Sequence, residues 1–365
     1  MSTIKVNNLQ NASAASPAIV LAADGSATAQ VSSLNGGPLA GTRNRIINGD
    51  MRIDQRNAGA SYAQTTTAIY GLDRWKTDID TGLGRWSVQQ VSDAPAGFTN
   101  SLKATITTQE AQPANALHQI YQPFEGYNVA DLAFGTASAS DVTVSFWVKA
   151  SVTGTYSLNV FSTDRSYTTS FVVNSADAWE YKTITVPGAT DGTWATNNGN
   201  SMYLEFTIGG GTDKVRTADT WSSATVGVVA GSVYLPATSG ATFQVTGVQL
   251  EPGTVATPFE RRSYGQELAL CQRYFQRGVY RLSGVCNGAG GDASIVFPTP
   301  FRSSPTLTVN TLGAFVDGLA TINITALTLS STQETSSRIA VSAASSTAGR
   351  GMVFDGSNLS FDAEL

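Results

Sequence analysis

The stretch from Arg43 to Trp75, RNRIINGDMRIDQRNAGASYAQTTTAIYGLDRW, constrains this chain more than any other. Its first part, Arg45 to Ile53, carries Ile47, Met51 and Ile53 and reads as a β-like run. Asn48-Gly49-Asp50 interrupts it with turn or bulge chemistry. A second part, Ala68 to Lys76, ends on Leu72 and Trp75, two residues to bury, with Asp73 and Arg74 between them. The chain before Arg43 reads as an arm. The chain after it reads as short strands that need this first segment as a partner.

Those strands announce themselves by alternation. Val142, Val144, Phe146 and Val148 fall on one face of a strand, with Thr143, Ser145, Trp147 and Lys149 on the other. Tyr156, Leu158 and Val160 repeat the pattern, as do Met202, Leu204, Phe206 and Ile208. Phe243, Val245, Val248 and Leu250 close the set, and Gly247 shifts their phase as a bulge would. Pro187-Gly188, Asp191-Gly192, Asn198-Gly199 and Gly209-Gly210-Gly211 punctuate the series. Regular short strands between such turns predict an all-β sandwich or barrel.

Composition narrows the setting. Only 13% of the 365 residues are charged, about half the share of an ordinary globular domain. A hydrophobic content of 41% is too high for a disordered chain. Low charge with many small polar residues suits surfaces buried between subunits. The net charge of −5 and the lack of a basic run argue against nucleic acid as a partner. The longest apolar run of the N-terminal region, Ala18 to Ala23, is too short for a signal core or a membrane span. We therefore expect no membrane insertion, and release to the outside in a particle. Cys271 and Cys286 show no metal spacing; they could bridge one another, and two buried free thiols are the other reading.

The expected organisation has four parts. Residues 1–42, with sparse apolar triplets, form an extended arm lying on another protein. Residues 43–260 form a central β-sandwich of jelly-roll type. Residues 261–277 form a linker helix, with Tyr264, Leu268, Cys271 and Phe275 on one stripe, Ser263 as cap and Gly278 as stop. Residues 278–365 form a small β-sandwich, in which Pro298, Pro300 and Pro305 mark an edge or a non-strand.

Several blocks add a resemblance. NRIINGDMRIDQ, WVKA from Trp147, WEYKTITVPG from Trp179 and FQVTGVQLEPG from Phe243 resemble carbohydrate-binding jelly-roll modules attached to glycanases. The longer series INGDMRIDQRNAG, YGLDRW, GTWATNNG and GVQLEPGTVATPFERRSYGQELALCQRYF is similar to phage tail-fibre and appendage proteins that carry such a module. The resemblance implies a virion protein that attaches to host-surface polysaccharide. It implies a homotrimer, docked through its arm on another virion structural protein. It requires no cofactor but allows one structural calcium, for which Asn48, Asp50 and Glu251 are the matching positions. Ordinary turn and edge roles are the other reading of those residues.

Sugar binding uses aromatic faces with amides and acids beside them. Trp194 in the loop Asp191 to Asn200, Trp221 in TADTWSS and Tyr167 at a turn are the loop aromatics, and Asn197 and Asn198 supply amides next to Trp194. These five are the expected glycan site. Trp75, Trp86 and Trp179 are expected in the core. Trp147, on the polar phase of its strand, packs on a second layer or lines a sheet face. A glycan-cleaving enzyme needs two convergent carboxylates; Asp73, Asp78, Asp80, Glu125 and Glu205 are the candidates. The lone His118 lies in a strand-like stretch with no triad context. The expected chain is therefore not an enzyme. A purely structural head, neck or tail decoration and a glycan depolymerase are the alternatives.

Overall fold

The computed structural model describes residues 42–365 except 65–67, 82–84, 224, 281, 317–320, 344–345 and 356, together with three short N-terminal strands. Those strands, Asn8–Leu9, Ile19–Leu21 and Ala27–Ala29, pair as a small antiparallel sheet. The remainder of the arm, and with it the extended course expected for residues 1–42, lies outside the described residues.

The protein is all-β, with two large antiparallel sheets facing each other. The six-stranded sheet runs in the order Glu180–Val186, Val142–Ala150, Thr242–Pro252, Ser101–Thr108, Arg85–Val91 and Tyr62–Gln64. The seven-stranded sheet runs Thr220–Ser222, Ser166–Val173, Gly154–Phe161, Asn200–Gly210, Leu117–Glu125, Trp75–Thr81 and Ile69–Leu72. Hairpin neighbours alternate with pairs distant in sequence, such as Val142–Ala150 with Thr242–Pro252 and Leu117–Glu125 with Asn200–Gly210, as in a jelly roll. Alternation decides what faces inward. Val142, Val144, Phe146, Val148, Met202, Leu204, Phe206 and Ile208 are all fully buried. Phe146 meets Phe206 edge-on at 4.9 Å between ring centres. Each such ring, removed from water, contributes about 2–3 kcal/mol.

The opening segment departs from expectation. Arg45 to Ile53 is not a strand but a buried irregular loop. Arg45 N–H donates to the Leu250 carbonyl (2.8 Å) and Val248 N–H to the Gly49 carbonyl (2.9 Å), so it borders the closing strand without joining it. Asn48 and Met51 have φ of 58° and 57°, which a regular strand excludes and asparagine tolerates best. The Asn48 side chain satisfies the loop: its amide donates to the carbonyls of Ile53 (2.8 Å) and Asp73 (3.0 Å) and accepts from Ile53 N–H (2.9 Å). Its own carbonyl accepts from the Trp75 indole (3.0 Å), and its N–H donates to the Glu267 carboxylate. Gly49 is required by close approach, since a Cβ there would stand 2.2 Å from the Val248 carbonyl oxygen.

The helix is shorter than its stripe suggested. It spans Tyr264–Gln272, and a strand begins at Phe275. Gly278 lies inside that strand, opposite Leu359, rather than ending the helix. Ser263 is the cap, and Gln266 completes the capping box. Glu267 is instead buried against Asn48 and Arg262. Of the expected stripe, Tyr264 is exposed and Cys271 is buried.

The C-terminal unit consists of a three-stranded sheet, Phe275–Tyr280, Ser357–Asp362 and Thr306–Thr311, beside a closed barrel. The barrel order is Ser283–Cys286, Gly290–Val296, Ser336–Ala343, Thr321–Thr332, Ala314–Val316 and Gly351–Asp355. The three prolines fall between Val296 and Thr306, outside both sheets. Phe297, Phe301, Phe361, Ile339 and Met352 form its core. Cys271 and Cys286 are free and buried in different clusters.

A buried polar joint ties this unit to the sandwich. Arg74, whose side chain is 1% exposed, pairs with Glu364, donates to the Pro123 carbonyl (2.6 Å) and lies 3.6 Å above the Tyr274 ring. Arg56 reaches Glu364 (2.9 Å) and Asp362 (3.2 Å) over the Phe275 ring. Arg273 and the Tyr274 hydroxyl both hold Glu125. Removing one member of such a pair strands its partner. Glu364→Ala is expected to cost about 3–5 kcal/mol in urea unfolding. Gly49→Ala should cost about 2–4 kcal/mol by forcing strand and loop apart.

Candidate functional site

The outer face of the seven-stranded sheet is built by the same alternation that fills the core. With Met202, Leu204 and Phe206 inside, Tyr203, Glu205 and Thr207 face out. With Tyr156, Leu158 and Val160 inside, Ser157, Asn159 and Phe161 face out. Lys76, Asp78, Gln119 and Tyr121 share that face on the next two strands. Register then aligns them: Lys76 pairs with Tyr121, Tyr121 with Glu205, and Tyr203 with Phe161.

The face has two halves. One is roofed by residues 227–232. There Asn159 donates to the Gly227 carbonyl (3.0 Å), Val229 N–H donates to the Ser157 hydroxyl (2.9 Å), and Ser157 meets Ser232 at 2.8 Å. Glu205 lies wholly buried at the edge of this roof. Its carboxylate accepts from Gln119 (2.6 Å), Thr207 (2.7 Å) and Asn159 (3.1 Å). Burial pushes it up to about 7, against those hydrogen bonds and with help from Asp78.

The other half carries an aromatic strip. Lys76 Nζ lies 5.4 Å from the Tyr70 ring centre and 5.8 Å from that of Tyr121. Tyr121 and Tyr203 are 6.0 Å apart, and Tyr203 stacks on Phe161 at 4.4 Å and 5°. Burial, then Asp78 and Glu205, push the Tyr121 phenol up, so it keeps its proton at all ordinary pH. Asn200 donates to the Tyr203 hydroxyl. Beyond Phe161 the strip opens into a depression of about 250 Å³ whose walls include Ser162, Asp164, Arg165 and Ser223. Arg165 is held there by both oxygens of Asp191 (2.8 and 2.6 Å).

The residues expected from the sequence lie elsewhere. Trp194, Trp221 and Tyr167 are brought together, but around Phe134. Trp194 meets Phe134 at 4.9 Å and Trp221 at 5.7 Å, both edge-on, and Tyr167 meets Trp221 at 5.4 Å. Tyr167 is buried, and the indole N–H groups donate to the Asp191 (3.0 Å) and Pro187 (2.8 Å) carbonyls. This cluster packs against the core and closes one end of the sandwich. Asn197 accepts from Gly199 within its own loop. Asn198 exchanges hydrogen bonds with Arg302 of the C-terminal unit (3.0 and 2.8 Å). Trp75 and Trp86 are core residues, whereas Trp179 is a half-buried surface residue bonded to Asp93 (3.3 Å).

The positions matched to calcium have separate partners. Asn48 is spent on its loop, Asp50 pairs with Arg52, and Glu251 accepts from Thr257 and Gln249. Among the weighed carboxylates, Asp73 is sealed by Gln55 (2.6 Å twice) and raised to about 7 by burial. Glu125 is clamped by Arg273 and Tyr274, which outweigh its burial and hold it below the usual range. Asp78 alone among those described lies on the open face, and the Asp80 side chain is outside the described residues. His118 is buried, edge-on to Tyr234 at 5.7 Å and 3.7 Å from Glu110.

No family model matches the chain, and no curated protein matches it. Among solved structures, it is similar to the enzymatically active domain of bacteriophage CBA120 tailspike protein 4, at 10% identity and a TM-score of 0.29, over 57% of this chain and 21% of that one. The chain thus spans about a fifth of the tailspike domain. It is also similar to the family 11 carbohydrate-binding module of Lic26A-Cel5E from Clostridium thermocellum (12%, TM-score 0.28, 55% and 99% covered). The CBM22-1 xylan-binding domain of Paenibacillus barcinonensis Xyn10C gives 14% and 0.25, over 55% and 99%. Likeness at this level assigns neither family nor ligand.

Glu205 and Asp73 bind protons more tightly folded than unfolded. Their cost to stability is absent below the ordinary carboxylate range and complete as pH rises through about 7. Glu125 works the other way, but its contribution is constant above that range. The melting temperature is therefore expected to fall between pH 5 and pH 8. Glu205→Gln should remove a substantial part of the fall, as read by calorimetry.

Proposed function

We propose that this chain is a non-catalytic glycan-binding protein of a phage appendage, and that the strip Tyr70, Tyr121, Tyr203 and Phe161 is its sugar platform. One observation carries the reading: four rings and Lys76 are aligned across five neighbouring strands beside the part of the face that residues 227–232 roof, with Tyr70, Tyr203 and Phe161 half-buried and Tyr121 buried between them. Aromatic faces stack on the C–H faces of pyranose rings, and the Lys76, Asp78, Asn200 and Asp164 side chains are placed to meet hydroxyls. The raised phenols of Tyr121 and Tyr203 keep both as neutral hydrogen-bonding groups.

Absence of catalysis is supported by what happens to the carboxylates. Glycoside hydrolysis needs two that converge on one bond. Glu205, Asp73 and Glu125 have their oxygens engaged inside the protein. The virion setting is supported by the ordered blocks from INGDMRIDQRNAG to the Phe275 region, and by the low charge of the chain. Weak sites of this kind gain strength from copy number, which a homotrimer on a particle would supply.

Affinity electrophoresis in gels containing host-surface polysaccharide tests the reading. Tyr203→Ala and Tyr121→Ala should each weaken retention at least tenfold (about 1.4 kcal/mol) with native circular dichroism, the buried Tyr121 variant at a lower melting temperature. Full retention by both variants would remove the strip as the platform.

A further inference from the structure

The opposite sheet carries a second aromatic strip. On the outer face of the six-stranded sheet, Trp147 and Tyr181 are cross-strand partners with ring centres 5.4 Å apart. Tyr181 is 45% exposed, and Trp147 is half-buried. Next to Trp147 the pairing with Thr242–Pro252 slips by one residue, between Ser145 and Trp147. Gly247 sits in that slip with φ of 60°. A Cβ on it would lie 2.7 Å from Phe98 Cζ and 3.2 Å from Trp147 Cδ1. The bulge and its glycine thus let Phe98 and Trp147 converge above the strand. Phe98 continues to Phe259 (5.2 Å, edge-on), and Arg261 lies over both rings at 4.7 and 5.6 Å. Arg261 also borders the 760 Å³ groove between the helix and residues 299–300. The rings therefore form one path from Tyr181 to that groove.

The two lysines beside the path are already matched. Lys149 is held by Asp93 (2.7 Å) and Lys182 by Glu180 (2.6 Å). Arg261 donates to the Gly97 carbonyl (2.5 Å). An anionic ligand beside Trp147 and Tyr181 would have to break the two lysine pairs. An uncharged chain with alternating C–H faces and hydroxyls would not.

We propose that Tyr181, Trp147, Phe98 and Phe259 form a second binding surface, for an uncharged glycan chain, on the face opposite the first. Two sites on opposite sheets let one copy engage two polysaccharide strands, or two points of one strand, with the gain of multivalency. The inference rests on the glycan-binding reading for its ligand class but not on the first strip. The first strip contains no tryptophan, whereas this one contains Trp147.

The test uses the full chain, tryptophan fluorescence and calorimetric titration. The probes are a soluble β-glucan, a galactan and a mannan, with polygalacturonate as the charged control. Tyr203→Ala should still bind a neutral probe with a change in tryptophan emission and one site fewer than the parent. Tyr181→Ala should weaken that response at least fivefold, and Tyr181→Phe should restore it, because stacking needs the ring and not the hydroxyl. Trp147→Phe should abolish the emission change. A parent that binds through Tyr203 alone, with no effect of Tyr181→Ala, would overturn the second surface and leave the first. A parent that binds none of the neutral probes, or prefers polygalacturonate, would overturn it as well. So would a loss of oligomer on Tyr181→Ala, which would mean that a second copy covers the strip.

Discussion

Arg74 is the charge on which the architecture depends. It lies in the turn before Trp75, fully buried, and the acid next to it in sequence, Asp73, is engaged by Gln55. Its counter-charge, Glu364, comes from the far end of the chain, its second acceptor is the Pro123 carbonyl, and its flat face rests on Tyr274. An isolated buried guanidinium would cost several kcal/mol, so the site is tolerable only when all three partners are present. Arg56 makes the same demand on Asp362 and Glu364, and Asn48 on Glu267. The opening loop is therefore completed only by the helix and the last strand.

This joint explains why the loop needs no strand of its own. Backbone groups in a buried irregular segment must find partners, and here side chains supply them: Asn48 for Ile53 and Asp73, Gln122 for Ile47, Arg262 for Ile46 and Asn44. The ends of both sheets are fixed against one rigid base. On that base the outer faces can carry aromatic rows, because the apolar core lies between the inner faces. For the glycan binding proposed above, rigid placement would reduce the ordering cost of a flexible polysaccharide.

The sandwich was legible in the sequence because alternation is a local signal. Val142–Ala150 and Met202–Ile208 show their buried face in the residues themselves. The phase shift at Gly247 likewise marks a real bulge. The opening loop misled because Ile47, Met51 and Ile53 are buried without β geometry; Asn48 and Met51 at positive φ are invisible to a periodicity count. The stripe overstates the helix because Phe275 continues it by spacing, while strand pairing with Asp362, a long-range contact, claims that residue. Trp194, Trp221 and Tyr167 do cluster, but Phe134, which gathers them, is distant in sequence. Tyr121, Tyr203 and Phe161 had one available signal, an aromatic on the polar phase of an alternating strand, the same signal that singled out Trp147. Their alignment into a row comes from cross-strand register, which only the folded sheet reveals.

Differential scanning calorimetry of the full chain tests the central claim most directly. If the Arg74–Glu364 joint makes sandwich and C-terminal unit one cooperative body, residues 42–365 should unfold in a single transition with matching calorimetric and van't Hoff enthalpies. Glu364→Ala should lower or split that transition. Two well-separated transitions in the unaltered chain, with the C-terminal unit melting independently of the sandwich, would contradict the account.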